Sequence, residues 1–163
     1  MFIGVLLMVN SSKRIRICLA ASAGGHLTQL LNTREAWSRH DVSVVTTNEL
    51  MKAILQDLGH VHVVGECNRY YPMRVVKVLM KCIRIARCEK YDIVLSTGAA
   101  VGCIMCFLGK LRGAKVIWLD SITNVERMSL SGRMVRHIAD LCLVQWPELA
   151  EKYDGAEYRG SVI

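Results

Sequence analysis

The sequence has no internal repeat, no low-complexity tract and no shift in composition that would mark a linker. With 163 residues it is long enough to bury one sizeable core and too short for two, so one domain is the economical reading. The opening apolar run, MFIGVLLMV, falls well short of the ~20 residues that cross a bilayer. It also lacks the charged front and the small-residue cleavage site of a secretory signal. Residues 1–14 are therefore expected to be an N-terminal extension that leads into the first strand or dips into a membrane interface, and residues 15–163 to be the domain.

Acidic residues are in deficit, 14 Asp and Glu against 21 Lys and Arg, which gives a formal net charge of +7. A counterpart of negative sign follows: a phosphate-bearing substrate, an anionic membrane surface or nucleic acid. No nucleic-acid-binding motif accompanies the charge, which is spread along the chain, so no nucleic-acid partner is expected. The seven cysteines are odd in number and sit mostly inside apolar runs. Cys103 and Cys106 form a CxxC without a second pair or a His cluster beside it, so no metal is expected, and the thiols read as buried and reduced in a cytosolic chain. Also missing are a phosphate-loop lysine and the GxGxxG fingerprint of dinucleotide binders. After the second strand only Glu49, at a helix start, could serve as a ribose-binding acid.

What is present is alternation. Short apolar, β-branched runs at Ile15–Ala21, Val42–Thr46, Val61–Val64, Ile93–Ser96, Val116–Leu119 and Leu141–Gln145 read as strands. Helical segments separate or follow them at about Thr28–Arg39, Glu49–Leu58, Met73–Glu89, Ala100–Leu111, Ser131–Ala139 and Pro147–Lys152. Such alternation predicts an α/β fold, a Rossmann-like open parallel sheet with helices on both faces. Ligands of such sheets bind beyond the carboxyl ends of the strands. That rule aims three loops at one crevice: SAGGHL (Ser22–Leu27), STGAAVG (Ser96–Gly102) and LDSITNVE (Leu119–Glu126).

At the first corner Gly24 and Gly25 tolerate unusual backbone angles and let a ligand approach the chain, with Ser22 beside them and a helix N-terminus behind. His26 adds a titratable side chain; a tight turn capped by a histidine explains the same residues. Thr97 and Gly98 repeat the pattern in the second loop. In the third, Asp120, Ser121, Asn124 and Glu126 crowd polar groups together, with helix capping as the structural alternative for Asp120, Ser121 and Glu126. A free-standing Rossmann-type oxidoreductase with a nucleotide cofactor remains the competing functional class.

The strings SAGGHLTQLL, STGAAVG, LDSITNVERMSLSG and IADLCLVQWPELAEKY…YRGSVI resemble those of the acceptor-side, membrane-anchoring subunits of two-subunit UDP-N-acetylglucosamine transferases of lipid-linked oligosaccharide synthesis. They equally resemble the PssD-type proteins of bacterial exopolysaccharide synthesis. The resemblance runs from about Ile15 to Ile163. It implies the N-terminal half of a GT-B glycosyltransferase of the MurG kind, with a separate small subunit bringing the UDP-sugar and this chain bringing a polyprenyl-diphosphate-linked sugar. The length agrees, since a GT-B site lies between two Rossmann-like domains and this chain has residues for one. No cofactor is implied beyond the donor held by the partner.

An inverting transfer needs a base for the acceptor hydroxyl, and the resemblance assigns catalytic positions to His26, Asp120 and Glu126. The expected substrate contacts are Ser22, Gly24, Gly25, Thr97, Gly98, Ser121 and Asn124, of which the resemblance itself matches Gly24, Gly25 and Ser121. Related proteins usually carry Glu at position 120 and commonly Arg at position 124, so this chain departs from them at both. Eukaryotic members have an N-terminal transmembrane helix; its absence here favours a bacterial-type protein, attached peripherally to the cytoplasmic face of the inner membrane.

Two surfaces complete the reading. On a helical wheel of PMRVVKVLMKCIRIARCEK the cations Arg74, Lys77, Lys81 and Arg84 form one narrow stripe on an otherwise apolar helix. With Arg69, Tyr70 and Tyr71 nearby, this suits the interface of an anionic membrane, whereas an ordinary helix covering the sheet would show the same stripe to water. The C-terminal run supplies Gln145, Trp146, Pro147 and Tyr158 as a candidate face for the donor-binding subunit, unless Trp146 only closes the sheet.

Overall fold

The structure, a computed structural model, describes residues 14–67 and 71–162. Seven strands, β1 (Arg16–Ala20), β2 (Asp41–Thr46), β3 (His60–Val63), β4 (Ile93–Ser96), β5 (Lys115–Leu119), β6 (Leu141–Val144) and β7 (Ala156–Tyr158), form one sheet. Its order is β3-β2-β1-β4-β5-β6-β7, and every pairing is parallel. The chain starts in the middle, winds outward to β3, returns to β4 and winds out to β7. The reversal point lies between β1 and β4, so the loops that follow these two strands flank the crevice where such sheets bind ligands.

Helices α1 (Gly25–Asn32), α2 (Arg34–Trp37), α3 (Leu50–Leu55), α4 (Pro72–Cys88), α5 (Ala99–Leu111), α6 (Leu130–Val135) and α7 (Pro147–Lys152) connect the strands. Successive strand residues point to opposite faces, and the core divides accordingly. Ile17, Leu19, Val44, Ile93, Leu95 and Ile117 pack with Leu27, Leu30 and Trp37 on one face. Cys18, Ala20, Val45, Val94, Val116 and Trp118 pack with Val78, Cys82, Val101 and Met105 on the other. This is the two-faced burial expected of a parallel sheet. Five of the cysteines are buried and all seven are free thiols. Burial pushes the Cys82 and Cys142 thiols up to about 12, which leaves both protonated and unreactive at neutral pH.

The segment expected to be one helix over Thr28–Arg39 is two. Thr33 breaks it: its hydroxyl donates to the Leu30 carbonyl at 2.6 Å and accepts from Trp37 Nε1 at 3.0 Å, replacing ladder bonds by side-chain ones. The helix after β5 is shorter than its pattern, Leu130–Val135, and begins where the Ser129 hydroxyl accepts from the Gly132 amide. Strand β7, three residues at the sheet edge, had no sequence signal of its own. At the opposite edge Gly59, with φ +146, turns into β3 so close to the Val42 carbonyl that a Cβ would overlap it.

Candidate functional site

The β1–α1 corner opens as the sequence implied. Gly24 adopts φ +100, a conformation L side chains avoid, and Gly24 and Gly25 are exposed. No side chain caps α1 and no acid lies in its first turn, so the amides at its N-terminus stay free to meet negative charge. Ser22 is half-buried beside them, and Thr47 from the loop after β2 accepts the Ala23 amide through its hydroxyl at 3.1 Å.

His26 and Thr97, 71 residues apart, clamp this loop to the one after β4. His26 Nδ1 lies 3.0 Å from the Thr97 carbonyl, and the Thr97 hydroxyl donates to the His26 carbonyl at 2.6 Å. A carbonyl oxygen can only accept, so Nδ1 carries the proton and a neutral ring keeps its lone pair on Nε2. Gly98 is needed at φ +144, and the space its Cβ would occupy is filled by Cε1 and Nδ1 of His26. The next residue, Ala99, holds φ +63 without being glycine, a conformation costing on the order of 1 kcal/mol. Backbone strain therefore coincides with the clamp, at the mouth of the crevice.

Asp120 is 1% exposed, and both carboxylate oxygens are engaged. Oδ1 accepts from the Ser129 hydroxyl at 2.6 Å and from Trp118 Nε1 at 3.2 Å; Oδ2 accepts from the Ser129 amide at 3.0 Å and from Asn124 Nδ2 at 3.1 Å. A carboxylate holding four donors anchors the β5–α6 loop. Half-buried Asn124 gives one N–H of its amide to the same anchor. Gly132 allows the arrangement, since a Cβ there would stand 2.7 Å from Asp120 Oδ1. Glu126 is exposed, and its backbone carbonyl accepts from Lys152 Nζ at 2.9 Å.

Behind the crevice lies a buried amide network that sequence reasoning missed. Gln29 on α1, 8% exposed, donates to the Ser121 hydroxyl at 3.2 Å and accepts from the Ile122 amide at 3.2 Å and Gln145 Nε2 at 2.9 Å. Gln145 Nε2 also reaches the Asp120 carbonyl at 3.0 Å, and Gln145 Oε1 accepts the Val162 amide at 2.8 Å. Gln145, expected to face a partner, is 1% exposed and ties α1, the β5–α6 loop and the C-terminal segment to the end of β6. The one available signal was a glutamine inside the apolar run LTQLL, on the face that Leu27 and Leu30 bury. Trp146 is half-buried and donates to the Ile122 carbonyl at 2.8 Å, while Pro147 and Tyr158 remain exposed.

Helix α4 buries only Val78, Cys82 and Ala86 of its 17 residues, a stripe with i, i+4 spacing. Met73, Val76 and Met80 are exposed alongside Arg74 and Lys77, and the Arg74 guanidinium lies 4.7 Å from the Tyr71 ring. Lys81 and Arg84 turn toward β3 instead, where Lys81 Nζ is 3.4 Å from the Val63 carbonyl. Arg69, Tyr70 and the extension up to residue 13 lie outside the described residues. Among the described residues no helix is long and apolar enough to cross a membrane.

A parallel sheet that reverses at β1 and β4, with a glycine corner and an imidazole at the reversal, is a Rossmann-like domain, the fold that GT-B glycosyltransferases share. The solved structure of MurG from Acinetobacter baumannii superposes with a TM-score of 0.70 at 16% identity, over 91% of this chain and 46% of that one. A UDP-N-acetylglucosamine 2-epimerase from Rickettsia bellii does so with a TM-score of 0.64 at 15% identity, over 91% and 45%. Residues 30–162 match the family described as oligosaccharide biosynthesis protein Alg14 like, and the chain belongs to that family. The UDP-N-acetylglucosamine transferase subunit ALG14 of Mus musculus is 28% identical over 95% of this chain and 86% of its own length. That of Yarrowia lipolytica is 28% identical over 72% of this chain, and the match spans 57% of the yeast protein. The competing oxidoreductase reading finds no support among these relatives.

Proposed function

We propose that this protein is the acceptor-binding subunit of a heteromeric, inverting glycosyltransferase that moves a sugar, N-acetylglucosamine or another hexose, from a UDP-sugar to a polyprenyl-diphosphate-linked sugar. The observation that carries the reading is membership of a family whose relatives are named transferase subunits, combined with an imidazole held in one tautomer at the sheet's reversal point. In this reading a partner subunit binds the UDP-sugar, and the crevice of this chain receives the acceptor, its diphosphate near the free amides of α1. His26 Nε2 takes the proton of the acceptor hydroxyl as that oxygen bonds to the anomeric carbon and the bond to UDP breaks, in one displacement. Thr97 keeps the ring aligned, a positioning role.

The decisive assay is reconstitution. The full chain, with and without a co-expressed donor-binding subunit, is incubated with UDP-N-acetylglucosamine and a polyprenyl-diphosphate-sugar. Transfer is expected only when both proteins are present. Transfer by this chain alone, or tight retention of NAD(P) or flavin by it, would refute the split-enzyme reading.

The acceptor is a lipid, and α4 supplies the matching surface at the cytoplasmic face of a membrane. Met73, Val76 and Met80 would enter the interface while Arg74 and Lys77 meet lipid phosphates. Each interfacial cation contributes about 1 kcal/mol, so Lys77→Glu is expected to weaken flotation with phosphatidylglycerol vesicles about tenfold or more at low salt. Lys77 is exposed, so the fold is unaffected; unchanged flotation would remove α4 from membrane contact.

A further inference from the structure

Away from the crevice, at the β3 edge of the sheet, His60, His62 and Glu89 converge, with one ligand atom from each lying within 4.8 Å of the others. The convergence follows from secondary structure. His60 and His62 are two apart on an edge strand and so share one face, the face on which α4 ends and Glu89 follows it. Glu89 Oε1 lies 2.6 Å from His62 Nε2 and 3.1 Å from His60 Nδ1. Its other oxygen, Oε2, is held by Tyr91 OH at 2.6 Å and Ser43 Oγ at 2.9 Å. One carboxylate oxygen thus faces two imidazole nitrogens while hydroxyls fix the second, the division of labour found where outer groups orient a metal ligand. In front of the three lies an open cavity of about 510 Å³ between α4 and β3, bordered by Lys52, Lys81, Arg84 and Cys88.

We propose that His60, His62 and Glu89 form a binding site for a divalent transition metal of the zinc class, pinning the edge strand to the end of α4. Two imidazoles and a carboxylate suit zinc or its first-row neighbours rather than magnesium or calcium, which take oxygen ligands. The remaining coordination positions face the cavity and take water. This site is independent of the transfer reaction and nowhere overlaps the His26 loop.

The test is titration of the metal-free full chain with cobalt(II), followed by displacement with zinc. One equivalent is expected to bind with visible d–d bands and without the near-ultraviolet transition of a thiolate ligand. His60→Ala, whose side chain is 70% exposed and so leaves the fold intact, is expected to weaken binding about 100-fold, as is His62→Ala. Tyr91→Phe, which removes one of the two hydroxyls that hold Glu89 Oε2 and leaves all three ligands in place, is expected to weaken it about tenfold. Absence of saturable binding, binding unchanged in His60→Ala, or binding abolished by Cys88→Ser would each overturn the assignment.

Discussion

Replacing His26 by asparagine is expected to leave the fold standing and to lower kcat of the reconstituted transferase about 100-fold or more, the ordinary range for losing a general base. The choice of asparagine matters because His26 performs two jobs through two different nitrogens. Nδ1–H bridges to the Thr97 carbonyl and holds the β1–α1 and β4–α5 loops together, while Nε2 has no partner among the described residues. An asparagine amide can replace the first bond and cannot supply the second function. His26→Ala removes both, so it is expected to match the asparagine variant in kcat and to fall below it in stability by about 1 kcal/mol. Wild-type kcat in His26→Asn, with loss only in His26→Ala, would make His26 a clamp and move the base to the partner subunit.

Thr97 offers a check on the same geometry from the other side. Its hydroxyl donates to the His26 carbonyl, its carbonyl fixes the ring, and the side chain is fully buried. A defect caused by Thr97→Val should therefore appear in kcat through misplacement of the ring, and not as weaker acceptor binding.

Much of this architecture was legible because a parallel sheet buried on both faces writes each strand as a short apolar run. Strand β4 and helix α7 have the boundaries their sequences imply, Ile93–Ser96 and Pro147–Lys152, since Ser-Thr-Gly and Trp-Pro punctuate them. The crevice loops were legible for a topological reason: whatever follows a strand lies at its carboxyl end. What escaped were pairings across long stretches of chain. Gln29 and Gln145 are 116 residues apart, and nothing local to either marks them as partners. The His60, His62 and Glu89 cluster escaped likewise, because its third member arrives from the far end of a 17-residue helix. Asp120 was found, and its surroundings were not. Its position at a strand end was right, but the donors that occupy it come from Trp118, Asn124 and Ser129, and sequence spacing cannot tell an occupied carboxylate from a free one.

The occupancy of Asp120 leads to the largest expected effect on stability. Asp120→Ala strips the acceptor from four donors at once in a buried site. Each buried donor left unmatched costs about 1–3 kcal/mol, and half-buried Asn124 can turn outward, so the net loss is expected at about 3–5 kcal/mol. In a domain of this size that lowers Tm by about 10 °C, measurable by calorimetry or circular dichroism. Asp120→Asn should be much milder. Its oxygen can take the Oδ2 position and serve Asn124 and the Ser129 amide, while its amino group donates to the Ser129 hydroxyl, whose own proton loses its acceptor; Trp118 Nε1 is orphaned as well. Adding Trp118→Phe removes that orphan, so the double variant is expected to regain part of the loss, a non-additivity that isolates the one bond. Transfer by Asp120→Asn is expected within about tenfold of wild type, far above a variant lacking its base. A fold-neutral Asp120→Asn whose kcat collapses as far as that of His26→Asn would instead show the carboxylate acting in the chemistry, with the hydrogen bonds to Ser129 and Trp118 serving to aim it.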